Sequence, residues 1–186
     1  MDLDHVANMQ LAILEAERAR GGTGDNPWVG CVIVDADGVV IARGHTQGPG
    51  EDHAEIAASR EASIAGRSIA GATLYSTLEP CSFHGRTPAC AHVIVRERLV
   101  RVVIAMRDPH PRVDGEGIRI LRDGGLEVIE GPGEHEVRKQ LGRWVLAHHP
   151  HEPRRRALTM PNEDREARLA GIYGVNPAEI RAVLGA

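Results

Sequence analysis

Aromatic residues are scarce: two Trp, two Tyr and one Phe make up 3 % of the 186-residue chain. A core with so few rings must be built from Val, Ile, Leu and Ala, and the 42 % hydrophobic content is enough for a sizeable one. The same scarcity argues against a stacking platform for single-stranded nucleic acid. A basic excess is also lacking. The 22 Lys and Arg stand against 26 Asp and Glu, a formal net charge of −4, so no global attraction to a phosphate backbone is expected. A small phosphorylated substrate is still compatible, because it needs only two or three local cationic groups. No apolar run approaches the roughly eighteen residues of a spanning helix. The opening Met-Asp-Leu-Asp-His-Val lacks the basic and apolar segments of a secretory leader. The expectation is a soluble cytoplasmic protein with neither membrane nor nucleic-acid partner. The three cysteines, Cys31, Cys81 and Cys90, are an odd number. In a reducing compartment such thiols serve as metal ligands, catalytic groups or inert core rather than disulfides.

What is present reads as alternating elements. Val6, Met9, Ile13 and Leu14 recur at helical spacing within 4–20, and Gly21-Gly22 ends that run. Val29 to Val34 is a short apolar strand, Asp35-Ala36-Asp37-Gly38 a turn, and Val39 to Arg43 a second strand, which together predict a hairpin. A helix is expected from His53 to Ala65, a strand over 73–78, and a helix from Pro88 to Arg98 with Thr87 as its cap. Strands at 101–106 and 126–129 follow, with a short helix around Ile118 to Leu121 between them, and a long helix over 134–147. This order predicts a three-layer α/β/α sandwich around a five-stranded mixed sheet. Composition then changes. Residues 148–161, rich in His, Pro and Arg, read as a linker, and 162–186 as a short tail of two helices. The domain is thus drawn at 1–147.

Three elements carry chemistry: His53-Ala54-Glu55 at a helix start, Glu79-Pro80-Cys81 after a strand, and Cys90 at the next helix start. One His and two Cys form a nitrogen–sulfur set typical of Zn2+, and three protein ligands leave the fourth tetrahedral position open, as in a catalytic site. His53 and Glu55 are two apart and do not share a helix face, yet both can reach a metal lying off the helix end. Cys90, in a first turn, is favoured as a thiolate by the exposed N–H groups and the positive end of the helix dipole. Glu55 is then a proton shuttle and not a ligand.

Ordinary readings compete with these. Asp52 and Glu55, three apart, could be a capping pair. Cys31 reads as a small buried hydrophobe within an apolar strand. His5, His92 and His135 lie on helices and read as solvated or satisfied. His148, His149 and His151 could bind adventitious metal, though a polar linker explains them as well.

The pattern resembles zinc deaminases that carry His-x-Glu followed by Pro-Cys-x-x-Cys, except that Cys81 and Cys90 are separated by eight residues. The longer text is more specific. Asn26-Pro27-Trp28-Val29-Gly30-Cys31-Val32-Ile33-Val34, His53-Ala54-Glu55 and Thr77-Leu78-Glu79-Pro80-Cys81-Ser82-Phe83-His84-Gly85-Arg86-Thr87-Pro88-Ala89-Cys90 resemble the deaminase domain of the riboflavin-pathway diaminohydroxyphosphoribosylaminopyrimidine deaminases. The likeness continues through Arg101-Val102-Val103, Asp108-Pro109-His110-Pro111 and Gly115-Glu116-Gly117 and covers roughly residues 5–147. It implies a cytidine-deaminase-like fold, zinc on His53, Cys81 and Cys90, Glu55 as catalytic acid–base, and hydrolytic release of ammonia from an aminopyrimidine with a sugar-phosphate arm. Positions matching the substrate pocket are Asn26 for the ring edge, His45 and Arg86 for the arm, and Asp108. Phe83 and His110 face the same pocket but depart from the family, which usually has His and Asn there. The loop from His45 to His53 is one residue longer than usual. Residues 148–186 are too few for the family's fused reductase, so a deaminase-only form, working as a homo-oligomer such as a dimer, is expected.

Other functions are compatible with the same residues. One is a deaminase of another aminopyrimidine, pterin or purine, for which Phe83 offers a stacking face. A second is DNA binding or regulation through 162–184, which faintly resembles a helix-turn-helix but mixes Arg165, Arg168 and Arg181 with Glu163, Asp164, Glu166 and Glu179. A third is a zinc-bearing protein without activity, against which all four catalytic positions are intact.

Overall fold

The computed structural model describes residues 4–85 and 88–185. The chain forms two compact units, Met1–Glu134 and His135–Ala186. None of the helices among the described residues is long and apolar enough to cross a membrane.

In the first unit, α1 (His5–Ala16) starts at Asp4, whose side chain accepts from the Ala7 N–H at 2.9 Å. It leads into β1 (Gly30–Val34) and β2 (Val40–His45), an antiparallel hairpin. The turn is closed by the Asp35 carboxylate, which accepts from the N–H groups of Asp37 and Val39, and by Gly38 at φ +86°, a conformation cheap only for glycine. Then follow α2 (Ala54–Ile64), β3 (Thr73–Leu78), α3 (Cys90–Arg96), β4 (Arg101–Met106), α4 (Glu116–Asp123) and β5 (Glu127–Glu130). The sheet order is β2-β1-β3-β4-β5. β1 is antiparallel to both its neighbours, whereas β3, β4 and β5 are parallel. The five-stranded mixed sheet expected from the sequence is therefore present.

Two glycines show how the layers form. A Cβ on Gly30 would lie 2.0 Å from the Ala12 carbonyl oxygen of α1, and one on Gly44 would lie 2.3 Å from that of Ala54 in α2. Gly30 pairs with His45 and Gly44 with Cys31. Adjacent residues of a strand point to opposite faces, so α1 and α2 cover opposite faces of the sheet. α3 packs against α2, and α4 against α3, completing the helix–sheet–helix arrangement. Ala54, Ala58 and Ala62, spaced one turn apart, are buried where α2 meets β2. The core is aliphatic as expected. β1 and β3 are buried at every position, and Leu74, Val102, Val103 and Ile104 are at most 1 % exposed.

Strand directions bring the functional loops to one end. β3 and β4 run parallel, and β1 runs against them, so the carboxyl ends of β3 and β4 lie beside the start of β1 and the end of β2. The loops 23–29, 46–53, 79–89 and 107–115 all leave from that end, the usual place for ligands in an α/β sheet.

The second unit is helical. The helix expected over 134–147 is broken into α5 (Glu134–Gln140) and α6 (Gly142–His148). Gly142 allows the approach: a Cβ there would overlap the Tyr173 carbonyl oxygen at 1.7 Å. The segment read as a linker carries α7 (His151–Leu158), tied down by Glu152, which is buried and accepts from Arg138 at 3.1 Å, from Arg156 at 2.9 Å and from the Tyr173 hydroxyl. α8 (Arg165–Tyr173) ends at Gly174 with φ +61°. α9 (Pro177–Leu184) opens with a capping box of Asn176 and Glu179 and with Pro177 in its first turn.

Candidate metal centre and pocket

Each loop end is fixed before it presents a functional group. The Thr23 hydroxyl donates to the Asn26 carbonyl at 2.7 Å, and the Asn26 N–H returns to the Thr23 carbonyl at 3.2 Å. The Thr46 hydroxyl accepts from the Val29 N–H at 3.1 Å, joining the Asn26 loop to the end of β2. The Gln47 N–H donates to the Asp52 carbonyl, closing the loop before His53. His53 is the N-cap of α2, with extended backbone and no side-chain capping bond, so its imidazole is free to leave the helix. The capping pair of Asp52 and Glu55 is not formed. Asp52 pairs with Arg60 at 3.0 Å, and Glu55 is only 4 % exposed.

The two cysteines meet at the base of their loop. α3 begins at Cys90, with Ala89 as N-cap and no side-chain cap. The start expected at Pro88 is therefore two residues early, which leaves Cys90 as the first helical residue. Its N–H donates to Cys81 Sγ at 3.2 Å, and the Ala91 N–H donates to the Cys81 carbonyl at 3.2 Å. His53 Nδ1 lies 3.7 Å from Cys81 Sγ and 3.4 Å from Cys90 Sγ. The ligand atoms of all three residues lie within 4.8 Å of one another, and among the described residues this is the group of His, Cys and acid side chains placed to hold a metal. Zinc bonded at about 2.3 Å to sulfur and about 2.0 Å to nitrogen needs tetrahedral edges of about 3.6 Å. The observed separations match that requirement, so the donor set fits zinc in both chemistry and size.

The electrostatics agree. The Cys81 thiol is pulled down to about 4, first by the hydrogen bond from Cys90 and then by His53 and the Cys90 N–H. Cys90, as the donor of that pair and fully buried, is pushed up. Without a cation the cluster favours one thiolate, and a dication between the sulfurs favours two. His53 is raised, chiefly by its bond to Cys81. Glu55 is raised by burial, against the pull of His53, and it also bonds Cys90.

A cavity of about 160 Å³ opens on this cluster, lined by Asn26, Gly50, Glu51, His53, Cys81, Phe83 and Gly85. It thus contains two of the expected substrate residues, Asn26 and Phe83. His45 is not among its lining residues. It points to the α1 face, where its Nδ1 is 2.9 Å from a Glu15 carboxylate oxygen. Asp108 and His110 lie on the neighbouring loop, where the Asp108 carboxylate accepts from the His110 N–H at 2.8 Å and burial raises Asp108 to about 7. The His110 ring is 5.5 Å from that of Phe83. Arg86 and Thr87 lie outside the described residues. Cys31 is fully buried in β1, as the ordinary reading expects.

Sequence reasoning gave Glu79 no role. Its carboxylate, 3 % exposed, accepts from the Gly115 N–H at 3.0 Å, Ile118 at 3.2 Å and Asp108 at 3.3 Å. It fastens the 108–118 loop to the strand that delivers Cys81. A Cβ on Gly117 would lie 2.1 Å from the Pro80 carbonyl oxygen, so only glycine allows α4 to start there. An acid two residues before a ligand gives no hint of these partners, which come from a distant loop.

Comparison with known proteins is consistent with this geometry. The family model for the cytidine and deoxycytidylate deaminase zinc-binding region matches residues 3–106. The Escherichia coli riboflavin biosynthesis protein RibD is 46 % identical over 138 residues, which is 74 % of this chain and 36 % of that protein. Among solved structures, Acinetobacter baumannii RibD has a TM-score of 0.71 at 41 % identity, covering 77 % of this chain and 39 % of its own. The diaminohydroxyphosphoribosylaminopyrimidine deaminase/reductase of Thermotoga maritima has a TM-score of 0.67 at 42 % identity, covering 73 % and 38 %. The chain thus spans little more than a third of the length of these relatives. It belongs to the zinc-binding cytidine and deoxycytidylate deaminase family.

Proposed function

We propose that this chain is a zinc-dependent hydrolytic deaminase acting on diaminohydroxyphosphoribosylaminopyrimidine, with His53, Cys81 and Cys90 holding the metal. The observation that carries the reading is the three-donor cluster at tetrahedral spacing, with a buried carboxyl beside it and a pocket opening on it. The choice of substrate rests on the likeness to the riboflavin-pathway relatives. When bound, zinc supplies Lewis acidity that lowers the pKa of water to about 7. Glu55 Oε takes one proton from the water and passes it to the ring nitrogen as the water oxygen bonds to the carbon bearing the amine, then carries the proton of the resulting hydroxyl to the amine. The exocyclic C–N bond breaks, a carbonyl forms from the water oxygen, and ammonia leaves. Burial suits Glu55 to this cycle, because its raised pKa lets it hold a proton that an exposed carboxylate would release. Asn26 holds the ring edge, and Phe83 gives the ring a face on the pocket wall. His45, Arg86, Asp108 and His110 are assigned to substrate on the resemblance alone.

The test is metal analysis together with an ammonia assay on the phosphorylated aminopyrimidine. One zinc per chain and ammonia release are expected, with zinc lost in Cys81→Ala. Full zinc occupancy in that variant would overturn the ligand assignment, and a zinc-loaded protein inert on this substrate would overturn the activity.

A further inference from the structure

We propose that Arg112 reads the anionic arm of the substrate, standing on the ring of Phe83 beside the pocket that opens on His53 and Cys81. The inference rests on the deaminase reading and adds to it the residue that selects a phosphorylated substrate.

Three observations meet at this side chain. First, its guanidinium carbon is 4.1 Å from the centroid of the Phe83 ring, a distance at which the cation lies against the negative face of the ring. Phe83 itself lines the pocket with Asn26, His53 and Cys81. Second, the backbone of Arg112 is pinned on both sides. Its N–H donates to His110 Nδ1 at 3.1 Å, and its carbonyl accepts from the Ser82 hydroxyl at 3.0 Å. Ser82 follows Cys81 directly, so the loop that carries the metal ligand and the loop that carries Arg112 are joined here. Third, the guanidinium makes no hydrogen bond or ion pair among the described residues. Other arginines of the same unit are engaged by carboxylates, as Arg101 is by Glu127, Arg107 by Glu130 and Arg119 by Glu116.

Arg112 is therefore an exposed cation held by a ring instead of by an acid. Stacking occupies a face of the guanidinium and leaves its N–H edge for oxygens, the arrangement that binds phosphate through paired, charge-assisted hydrogen bonds. It also accounts for an aromatic residue at position 83, since the ring fixes the position of the cation as well as closing the pocket wall. The substrate class that fits is a heterocycle bearing a phosphorylated pentose. A free base would leave the cation without a role.

The test is calorimetric binding of ribose 5-phosphate and of ribose to the zinc-loaded protein at low ionic strength, in wild type, Arg112→Met, Arg112→Lys and Phe83→Leu. Wild type is expected to bind the phosphorylated sugar more tightly than ribose. Arg112→Met should weaken ribose 5-phosphate by about tenfold or more, the loss of a charge-assisted contact. Arg112→Lys should keep part of the affinity, and Phe83→Leu should fall between wild type and Arg112→Met. Equal affinity in wild type and Arg112→Met overturns the inference, as does a wild type that fails to distinguish the two sugars. Ammonia release judges the deaminase reading separately. Phosphate binding through Arg112 without turnover keeps this inference and loses that reading, and turnover indifferent to the phosphate does the reverse.

Discussion

Glu55 in the sheet unit and Glu152 in the helical unit are each 4 % exposed, yet they are surrounded differently. Glu152 accepts from Arg138, Arg156 and the Tyr173 hydroxyl, so its charge is matched and its oxygens are satisfied. Glu55 has a thiol and an imidazole for neighbours, and burial lifts its pKa. Burying an unmatched carboxylate is costly unless the group changes protonation state, and that readiness to change suits a group that carries protons. Equal burial thus serves cohesion in one unit and chemistry in the other, and the partners make the difference. Glu79 is a third case, in which backbone N–H groups replace arginines and the carboxylate fastens a loop.

Substitution can break this comparison from either side. The largest effect is expected for Glu55→Gln, which keeps the size of the side chain and removes its proton chemistry. Ammonia release should fall by about 10²–10⁴-fold while zinc content stays near wild type. A variant with more than about a tenth of wild-type activity would mean that Glu55 is not the proton carrier. Next comes Glu152→Gln, which removes the buried charge that faces Arg138, itself 9 % exposed. Removing one member of a buried pair costs about 3–5 kcal/mol, so urea unfolding should shift by about that amount. A change under about 1 kcal/mol would show that the matched network contributes little.

The smallest effect concerns pH. Asp108 is raised to about 7, mainly by burial, so the folded chain binds its proton more tightly than the unfolded chain does. Stability therefore declines as pH rises from the unfolded value of about 4 towards about 7. Asp108→Asn removes that dependence. The urea midpoint of the variant relative to wild type should be higher at pH 8 than at pH 5.5. A constant difference would mean that Asp108 is ionised throughout.

The metal cluster was legible because its residue types state their chemistry: one His, two Cys and an acid near helix starts have few joint uses. The strand at 101–106 was legible because a buried parallel strand is a continuous apolar run, here Val102 to Met106. What escaped depends on distant partners. The break at Leu141-Gly142 follows from Tyr173, and the helix in the supposed linker is held by Glu152. The helix start at Pro88 was expected from local rules, but the chain enters the helix at Cys90, where the N–H meets the other cysteine. Asp52 and Glu55 have the spacing of a capping box, but a surface arginine takes one and the buried cluster takes the other.

The bonds from the Cys90 N–H to Cys81 Sγ and from the Ala91 N–H to the Cys81 carbonyl close the segment at its base. Whatever the length or composition of that excursion, its two ends leave the fold side by side. The loop can then be treated as an exchangeable cassette. Shortening it or grafting another in its place alters what stands over the pocket, including Phe83 and the cation stacked on it, without moving the sulfurs beneath. A redesign of substrate preference can begin with residues 82–89 and leave the rest of the sheet unit as it is.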